Sequence, residues 1–170
     1  IVDADGLIVT NAHVVHRAST IYAVLRDGTV AEAAVVKVNT LDDLALIRIR
    51  PDRELRAVRF ADVKTLMVGE TVVAIGNPLG LENSVTTGVI SGIDRAFKNT
   101  ECDYACSGLL QTDASINPGN SGGALLNMDG ELVGVNLAVV PGAQNIGFAV
   151  PVDKVMQMLG GRRPVPGASK

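Results

Sequence analysis

Residues 21–49 read IYAVLRDGTVAEAAVVKVNTLDDLALIRI, and this stretch indicates the fold class. It contains three apolar, strand-like segments, 21–25, 33–38 and 44–49, and Asp27-Gly28 is a typical hairpin turn between the first two. Short strands joined by tight turns at this spacing are typical of an antiparallel meander. The stretch therefore predicts an all-β fold.

The rest of the chain continues this pattern. A second set of strand-like segments occupies residues 71–150. Because the two sets divide within residues 60–70, the sequence predicts two small β-barrels or a sandwich. A short helix is expected only at 152–159, which Gly160-Gly161 would end. Residues 162–170 contain two prolines and no apolar period, which is typical of a linker or tail.

Composition and charge exclude several classes of protein. The 170 residues are 47% hydrophobic, with 18 Gly but only three Phe, two Tyr and no Trp, so the core must be aliphatic. A net charge of −3, from 15 basic and 18 acidic residues, does not favour nucleic acid as the partner. The apolar runs are far shorter than the roughly 20 residues of a membrane-spanning helix. The sequence predicts a globular chain with no transmembrane segment.

The glycine-rich segment around Ser121 is the strongest candidate for chemistry. Ser121 lies in Gly119-Asn120-Ser121-Gly122-Gly123, just before an apolar strand. Glycines allow a tight turn on which backbone N–H groups converge beside the hydroxyl, as an oxyanion hole requires. The expected donors are the N–H groups of Gly119 and Ser121. The alternative interpretation is a glycine-rich hairpin with an incidental serine.

A nucleophilic serine needs a base and a carboxylate that orients the base. His13 follows the apolar segment 7–10 and is favoured over His16, which lies beside Arg17 and is expected to be solvated. Asp43 immediately precedes the strand-like segment 44–49, whereas Asp42 is expected to point to the other side and to be exposed. The predicted triad is His13, Asp43 and Ser121.

The chain resembles the protease domain of the HtrA (Deg) family of serine proteases. The order His, Asp, Ser is that of chymotrypsin and not of subtilisin or the α/β-hydrolases. The resemblance rests on separate segments along nearly the whole chain: Thr10–Val15, Asp43–Leu46, Gly76–Leu81, Val85–Ser91, Gln111–Ala114, Asn117–Leu125 and Asn145–Pro151.

This resemblance implies two perpendicular six-stranded antiparallel β-barrels. Residues 1–66 would form the first barrel, which would have a truncated first strand and would carry the His and Asp of the triad. Residues 67–161 would form the second barrel, which would carry the nucleophile.

The activity that the resemblance implies is endopeptidase cleavage of unfolded or damaged proteins, without a cofactor or metal. The intact protein is expected to form a homotrimer or higher oligomer in a bacterial periplasm or cell envelope. The family's PDZ domain has no expected counterpart within these residues.

The resemblance also implies a substrate preference. Asn120 stands where an activated trypsin has the Asp that pairs with a new N-terminus, so activation by that ion pair is excluded. Ser115 stands where trypsin has its pocket carboxylate, which disfavours a basic P1 residue. Ile116 and Val140 match pocket-lining positions and would favour small aliphatic P1 residues, although core packing is the alternative. The substrate backbone is expected to add as a strand along Val135-Asn136-Leu137.

Two questions stay open in the sequence. Cys102 and Cys106 lie in the polar stretch 94–108, which aligns with the family's regulatory loop and is expected to be a loop here. The two cysteines could form a disulfide, a redox-sensitive staple on that loop, or two free thiols. A zinc site is disfavoured, because no second Cys/His pair accompanies them. The alternative function is a peptide-binding or chaperone-like module whose protease site rests in an inactive state.

Overall fold

The computed structural model describes residues 1–77, 84–98, 105–139 and 144–161. Its elements follow the chain in this order: β1 (Leu7–Thr10), α1 (Ala12–Val15), β2 (Ile21–Val24), β3 (Val30–Asn39), β4 (Leu44–Arg48), a 3-10 turn (Val63–Thr65), β5 (Thr71–Gly76), β6 (Ser84–Lys98), β7 (Ala105–Thr112), β8 (Ala124–Leu126), β9 (Leu132–Val139), β10 (Gly147–Pro151) and α2 (Val152–Met158).

The strands form two antiparallel sheets. The first has four strands in the order β1-β4-β3-β2, and the second is a closed barrel in the order β10-β7-β6-β5-β8-β9. The all-β prediction is confirmed, as is the short C-terminal helix. The second sheet has the expected six strands. The first has four in the described part of the chain, where six were expected, and it is an open half-barrel with β1 and β2 at its edges.

β4 shows why the two sheets pack together. Four of its five residues are buried, and they alternate between two cores. Ala45 and Ile47 pack into the core of the first sheet. Leu44 and Leu46 instead pack in a shared core with residues of the barrel and of α2, such as Leu132 and Val152. A strand buried on both faces reads as a continuous apolar run, which explains the sequence of this segment.

The shared core joins the half of the chain that carries His13 and Asp43 to the half that carries Ser121. Its buried members come from β1, β4, β7, β9, β10 and α2, together with Val2. Each fully buried Leu or Val in it contributes roughly 1.5–3 kcal/mol of transfer free energy. The relative position of the predicted triad residues therefore depends on aliphatic packing between the sheets.

Two elements differ from the sequence prediction in extent. β6 and β7 continue through the polar residues 94–98 and 105–108, which were expected to be loop. Cross-strand pairs such as Phe97 with Cys106 include these outer residues in the β6–β7 ladder. The register of this ladder shifts at several points between residues 90 and 97. Backbone pairing between two neighbouring strands thus outweighs the polar composition of this segment.

Candidate active site

His13 lies in α1, a single helical turn that begins directly after β1 and its following residue, Asn11. Asn11 is fully buried and donates from Nδ2 to the backbone carbonyl of Asp43 at 2.9 Å. The N–H of Ala12 donates to the same carbonyl at 3.1 Å. These two hydrogen bonds attach the end of β1 to the turn between β3 and β4. The sequence identified His13 as the candidate base, but no periodic pattern predicted the helical turn that carries it or the role of the Asn11 amide.

Asp43 binds His13 through both of its carboxylate oxygens. Its Oδ1 accepts from the backbone N–H of His13 at 2.8 Å, and its Oδ2 lies 2.5 Å from His13 Nδ1. The Asp43 side chain is 3% exposed and that of His13 34% exposed. Because a carboxylate accepts, this bond places the proton on Nδ1 and leaves Nε2 free to act as a base. The structure therefore brings the predicted base and its orienting carboxylate into contact.

The backbone of Asp43 has a φ of 49°, in the left-handed region that side chains other than Gly, Asn and Asp rarely adopt. Such a conformation is retained only where the surrounding contacts determine it. Here the carbonyl accepts from Asn11 and Ala12, and the side chain accepts twice from His13. The contacts of the site hold the turn in this conformation.

Ser121 follows a β-turn formed by residues 117–120. The N–H of Asn120 donates to the carbonyl of Asn117 at 2.9 Å, and Gly119 has a φ of 102°. Pro118 before a glycine with positive φ is typical of a type II turn. Neither the N–H of Gly119 nor that of Ser121 donates to any residue among those described. Both predicted oxyanion donors are thus free of intramolecular partners in this part of the structure.

Gly122 brings the nucleophile turn against the histidine segment. It has a φ of 81°, and a Cβ built on it would lie 2.2 Å from Thr10 Oγ1 and 3.3 Å from the backbone nitrogen of Asn11. Its N–H donates to the carbonyl of Asn136 at 2.9 Å. Ser121 therefore lies one residue from a close contact with the strand that leads to His13.

The hydroxyl of Ser121 donates to the backbone carbonyl of Leu137 at 2.9 Å. Within the described residues, no hydrogen bond joins this hydroxyl to His13. The structure therefore places all three predicted triad residues in one region but shows the nucleophile bound to β9 and not to the base. Because a hydroxyl has one proton, it must leave the carbonyl of Leu137 before it can donate to His13.

The predicted substrate strand on β9 is buried. Val135 is 1% exposed, Asn136 0% and Leu137 4%. The Nδ2 of Asn136 donates to the carbonyls of Ile75 and Ala124 at 3.2 Å each, so this amide braces the barrel beneath the nucleophile turn. The backbone of Val135 and Asn136 is already paired with β8 and β10, and the N–H and carbonyl of Asn136 bond to Gly123 and Gly122. These two residues therefore have no free edge for a substrate strand, contrary to the prediction, and of the three only Leu137 lies beyond the pairing with β8.

A cavity of about 300 Å³ adjoins the nucleophile turn. It is lined by 114–117 on one side and 144–147 on the other. Ile116, predicted to line the specificity pocket, is 3% exposed and packs under Gly147, where a Cβ would come within 2.7 Å of it. Ser115 lines the same cavity and carries no charge. Val140 lies outside the described residues.

The remaining residues that the sequence analysis singled out are His16, Asp42 and the two cysteines. His16 is exposed, as expected. Asp42 was expected to be exposed, but its side chain is 24% exposed and ion-paired with Lys154. Cys102 is outside the described residues, as are the surroundings of the Cys106 side chain, so the disulfide question stays a prediction. In the part of the chain that is described, no cluster of His, Cys, Asp or Glu could hold a metal ion.

Replacing Gly122 with Ala tests the close contact between the two halves of the site. We expect hydrolysis to fall at least about 100-fold, because the new methyl group must push Thr10 away and shift the serine by a fraction of an ångström or more. Gly130→Ala is the matched control: Gly130 also has a positive φ, 71°, but has nothing within 4 Å of its Cβ position. Equal losses of activity in the two variants would contradict the role of the contact.

Residues 1–135 match the family described as "Trypsin-like peptidase domain". The putative serine protease HhoB of Synechocystis is 45% identical over 153 residues, 90% of this chain and 36% of that protein. The periplasmic serine endoprotease DegP of Escherichia coli K12 is 45% identical over 162 residues, 93% of this chain and 34% of that protein. The chain thus spans about a third of the length of these relatives.

Solved structures of HtrA-type proteases are also similar to this chain. The HtrA-type protease AlgW, in a structure with a decapeptide, superposes with a TM-score of 0.85 at 37% identity, over 97% of this chain and 51% of that one. The similarity therefore includes both sheets. Among the helices of the described residues, none is long and apolar enough to cross a membrane.

Proposed function

The chain belongs to the trypsin-like peptidase family, as its relatives of the HtrA type indicate, and from this premise we propose that it is the catalytic domain of a serine endopeptidase. The observation that carries the proposal is the 2.5 Å contact between His13 Nδ1 and the buried carboxylate of Asp43. This pair lies at the end of the strand against which the Ser121 turn packs. Residues 1–66 would provide the base and its carboxylate, and residues 67–161 the nucleophile.

In the proposed reaction, the Oγ of Ser121 attacks the carbonyl carbon of the scissile peptide bond while His13 Nε2 accepts its proton. The N–H groups of Gly119 and Ser121 stabilise the negative oxygen of the tetrahedral intermediate, and Asp43 stabilises the imidazolium. The imidazolium then protonates the leaving amine. Water then attacks the acyl-enzyme carbonyl while His13 Nε2 accepts its proton, and the imidazolium returns this proton to Ser121 Oγ as the ester bond breaks and the carboxylic acid product leaves.

We further propose that the substrates are unfolded or damaged proteins. The substrate backbone would pair with β9 from Leu137 onward, beyond the residues that pair with β8, and a folded protein rarely offers an extended segment for such pairing. A periplasmic location and a trimeric or larger assembly are proposals that rest on the relatives, one of which is named a periplasmic endoprotease.

The experiment that tests this proposal compares digestion of casein, an unfolded substrate, with digestion of a stably folded protein. A fluorophosphonate that acylates active serines is used in parallel, and peptide mass mapping locates the adduct. We expect digestion of casein only, loss of activity after labelling, and an adduct on Ser121. Casein that stays intact, or an adduct elsewhere, would refute the proposal.

A specific observation favours one alternative, a peptide-binding module with a resting site. The Ser121 hydroxyl donates to Leu137 and not to His13. In that case casein would bind without being cut, and Ser121 would not be labelled by the fluorophosphonate. The same experiment therefore distinguishes the two functions.

The proposed endopeptidase is expected to prefer small aliphatic P1 residues. The cavity beside the nucleophile is small, is lined by Ile116 and carries no carboxylate at Ser115. We expect a peptide with Val at P1 to be cut with a kcat/KM at least about tenfold higher than the same peptide with Lys, because the residues that line the cavity include no carboxylate to pair with an ammonium group. Mass spectrometry of casein fragments gives an independent measure of the preference. Equal cleavage after Lys and Val would contradict it.

A further inference from the structure

Lys154 of α2 makes an ion pair beside the predicted triad that the sequence did not indicate. Its Nζ donates to Asp42 Oδ1 at 2.6 Å, and Asp42 is the residue before Asp43. The same ammonium group donates to the backbone carbonyl of Ser107 in β7. The side chains of Lys154 and Asp42 are 17% and 24% exposed. Lys154 thus connects the turn that holds Asp43 to the helix and to the barrel.

Hydrogen bonds on two sides hold the turn that carries Asp42 and Asp43. On one side, Asn11 and Ala12 bind the carbonyl of Asp43, as described above. On the other, Asn39 Nδ2 donates to Asp42 Oδ2 at 2.7 Å, and Lys154 binds the remaining oxygen of that carboxylate. Asp42 therefore has both oxygens engaged, which leaves its side chain little freedom.

This second set of contacts matters because Asp43 adopts a left-handed backbone conformation, with a φ of 49°. A residue in this region returns to a more favourable conformation unless its neighbours prevent it. A change at Asp42 would rotate the adjoining peptide group and displace the carboxylate that binds His13. Partly buried ion pairs of this kind are costly to break, because removal of one partner leaves the other charge uncompensated.

We propose that Lys154 is a positioning residue of the catalytic site: through Asp42 it holds the Asp43 turn so that the carboxylate orients His13. The inference rests on the proposed peptidase function. Within the described part of the chain, Lys154 makes no hydrogen bond or ion pair with His13 or Ser121, so its proposed effect on them passes through the turn.

A control is available in Lys37, which also joins the first sheet to α2. Its Nζ donates to the carbonyl of Met158 at 3.1 Å, so it tethers the other end of the same helix. Among the described residues, the Lys37 side chain makes no hydrogen bond to the turn at residues 39–43. Loss of Lys37 therefore measures the effect of loosening α2 alone.

The experiment compares Lys154→Met, Lys154→Arg and Lys37→Met in the full chain, with a fluorogenic peptide that has Val at P1. We expect Lys154→Met to lower kcat about 10- to 30-fold with KM changed less than about twofold, because a small displacement of a catalytic group affects the chemical step. Lys154→Arg should recover most of the rate, and Lys37→Met should keep the wild-type kcat. A wild-type kcat in Lys154→Met would overturn the inference.

A spectroscopic measurement separates positioning from a general loss of stability. The proton between His13 Nδ1 and Asp43 should give a far-downfield ¹H resonance, which we expect to shift or broaden in Lys154→Met and to stay unchanged in Lys37→Met. Measured in the Ser121→Ala background, this signal does not depend on activity. An unchanged resonance in Lys154→Met would refute the inference even if the wild-type chain proved not to be a peptidase.

Asp42→Asn serves as a second variant if Lys154→Met does not fold. This substitution removes the negative charge of Asp42 but keeps the size and planar shape of its side chain. We expect it to lower kcat in the same direction, and the double variant Asp42→Asn/Lys154→Met to be no worse than the more severe single variant, because the two residues act as one unit. Fully additive losses would contradict the coupling.

Discussion

Replacing Ser121 with Ala is expected to lower kcat for casein hydrolysis by about 10⁶-fold, the loss typical of removing a triad nucleophile. The variant keeps the backbone of the turn, since the positive φ angles lie at Gly119 and Gly122 and not at Ser121. It loses one hydrogen bond, from the hydroxyl to the carbonyl of Leu137. A lost hydrogen bond of this kind costs about 1 kcal/mol, so the variant should fold.

The measurement is the initial rate of casein digestion, with thermal unfolding as the check on the fold. Ser19→Ala is the control, because it removes the hydroxyl of an exposed serine that is not part of the predicted site. It should have the wild-type rate and unfolding midpoint. Retention of even a hundredth of the activity in Ser121→Ala would mean that another residue is the nucleophile.

Replacing Asp43 with Asn is expected to lower kcat by about 10⁴-fold. In the wild type, one carboxylate oxygen accepts from the His13 backbone N–H and the other lies 2.5 Å from Nδ1. The introduced amide has a single oxygen, and the backbone N–H requires it as an acceptor. The amide NH₂ group then faces Nδ1 and must donate to it, which moves the imidazole proton to Nε2. A histidine protonated at Nε2 cannot accept a proton from Ser121.

This substitution should leave the fold intact. Asn tolerates the left-handed conformation at least as well as Asp, so the φ of 49° is not a source of added strain. Kinetics with the Val-P1 peptide and thermal unfolding together separate chemistry from stability. The neighbouring Asp42→Asn is the matched comparison and should reduce kcat by no more than about 30-fold, because Asp42 makes no hydrogen bond to His13 and affects it only through the turn. Equal losses at the two positions would exclude a tautomer effect.

The strands of the fold were largely predictable from the sequence because their residues have the required pattern. Asp27-Gly28 predicted the hairpin between β2 and β3, and Gly28 indeed has a positive φ, 85°. The apolar run 44–49 predicted β4 for the same reason. The extension of β6 and β7 was not predictable, because it depends on backbone pairing between two polar segments, which leaves no apolar period.

The residues that position the site were harder to predict. Asn11 and Asn136 are buried amides whose hydrogen bonds go to backbone carbonyls 32 and 61 residues away in the chain. Asp42 was expected to be exposed by strand alternation, but it lies in a turn, where alternation does not apply, and it binds a lysine that follows it by 112 residues. Contacts between distant segments have no local signature.

The amino-acid sequence by itself determined the fold class and the chemical types of the candidate site: an aliphatic β protein, a serine in a glycine turn, a histidine after a strand and an aspartate before one. These features depend on neighbouring residues, and side-chain pattern and turn chemistry are local properties. Only the tertiary structure decided that His13 meets Asp43, that Gly122 packs on Thr10, and that Lys154 reaches Asp42. Those contacts arise because the shared aliphatic core packs one sheet on the other, and no short stretch of sequence contains that information.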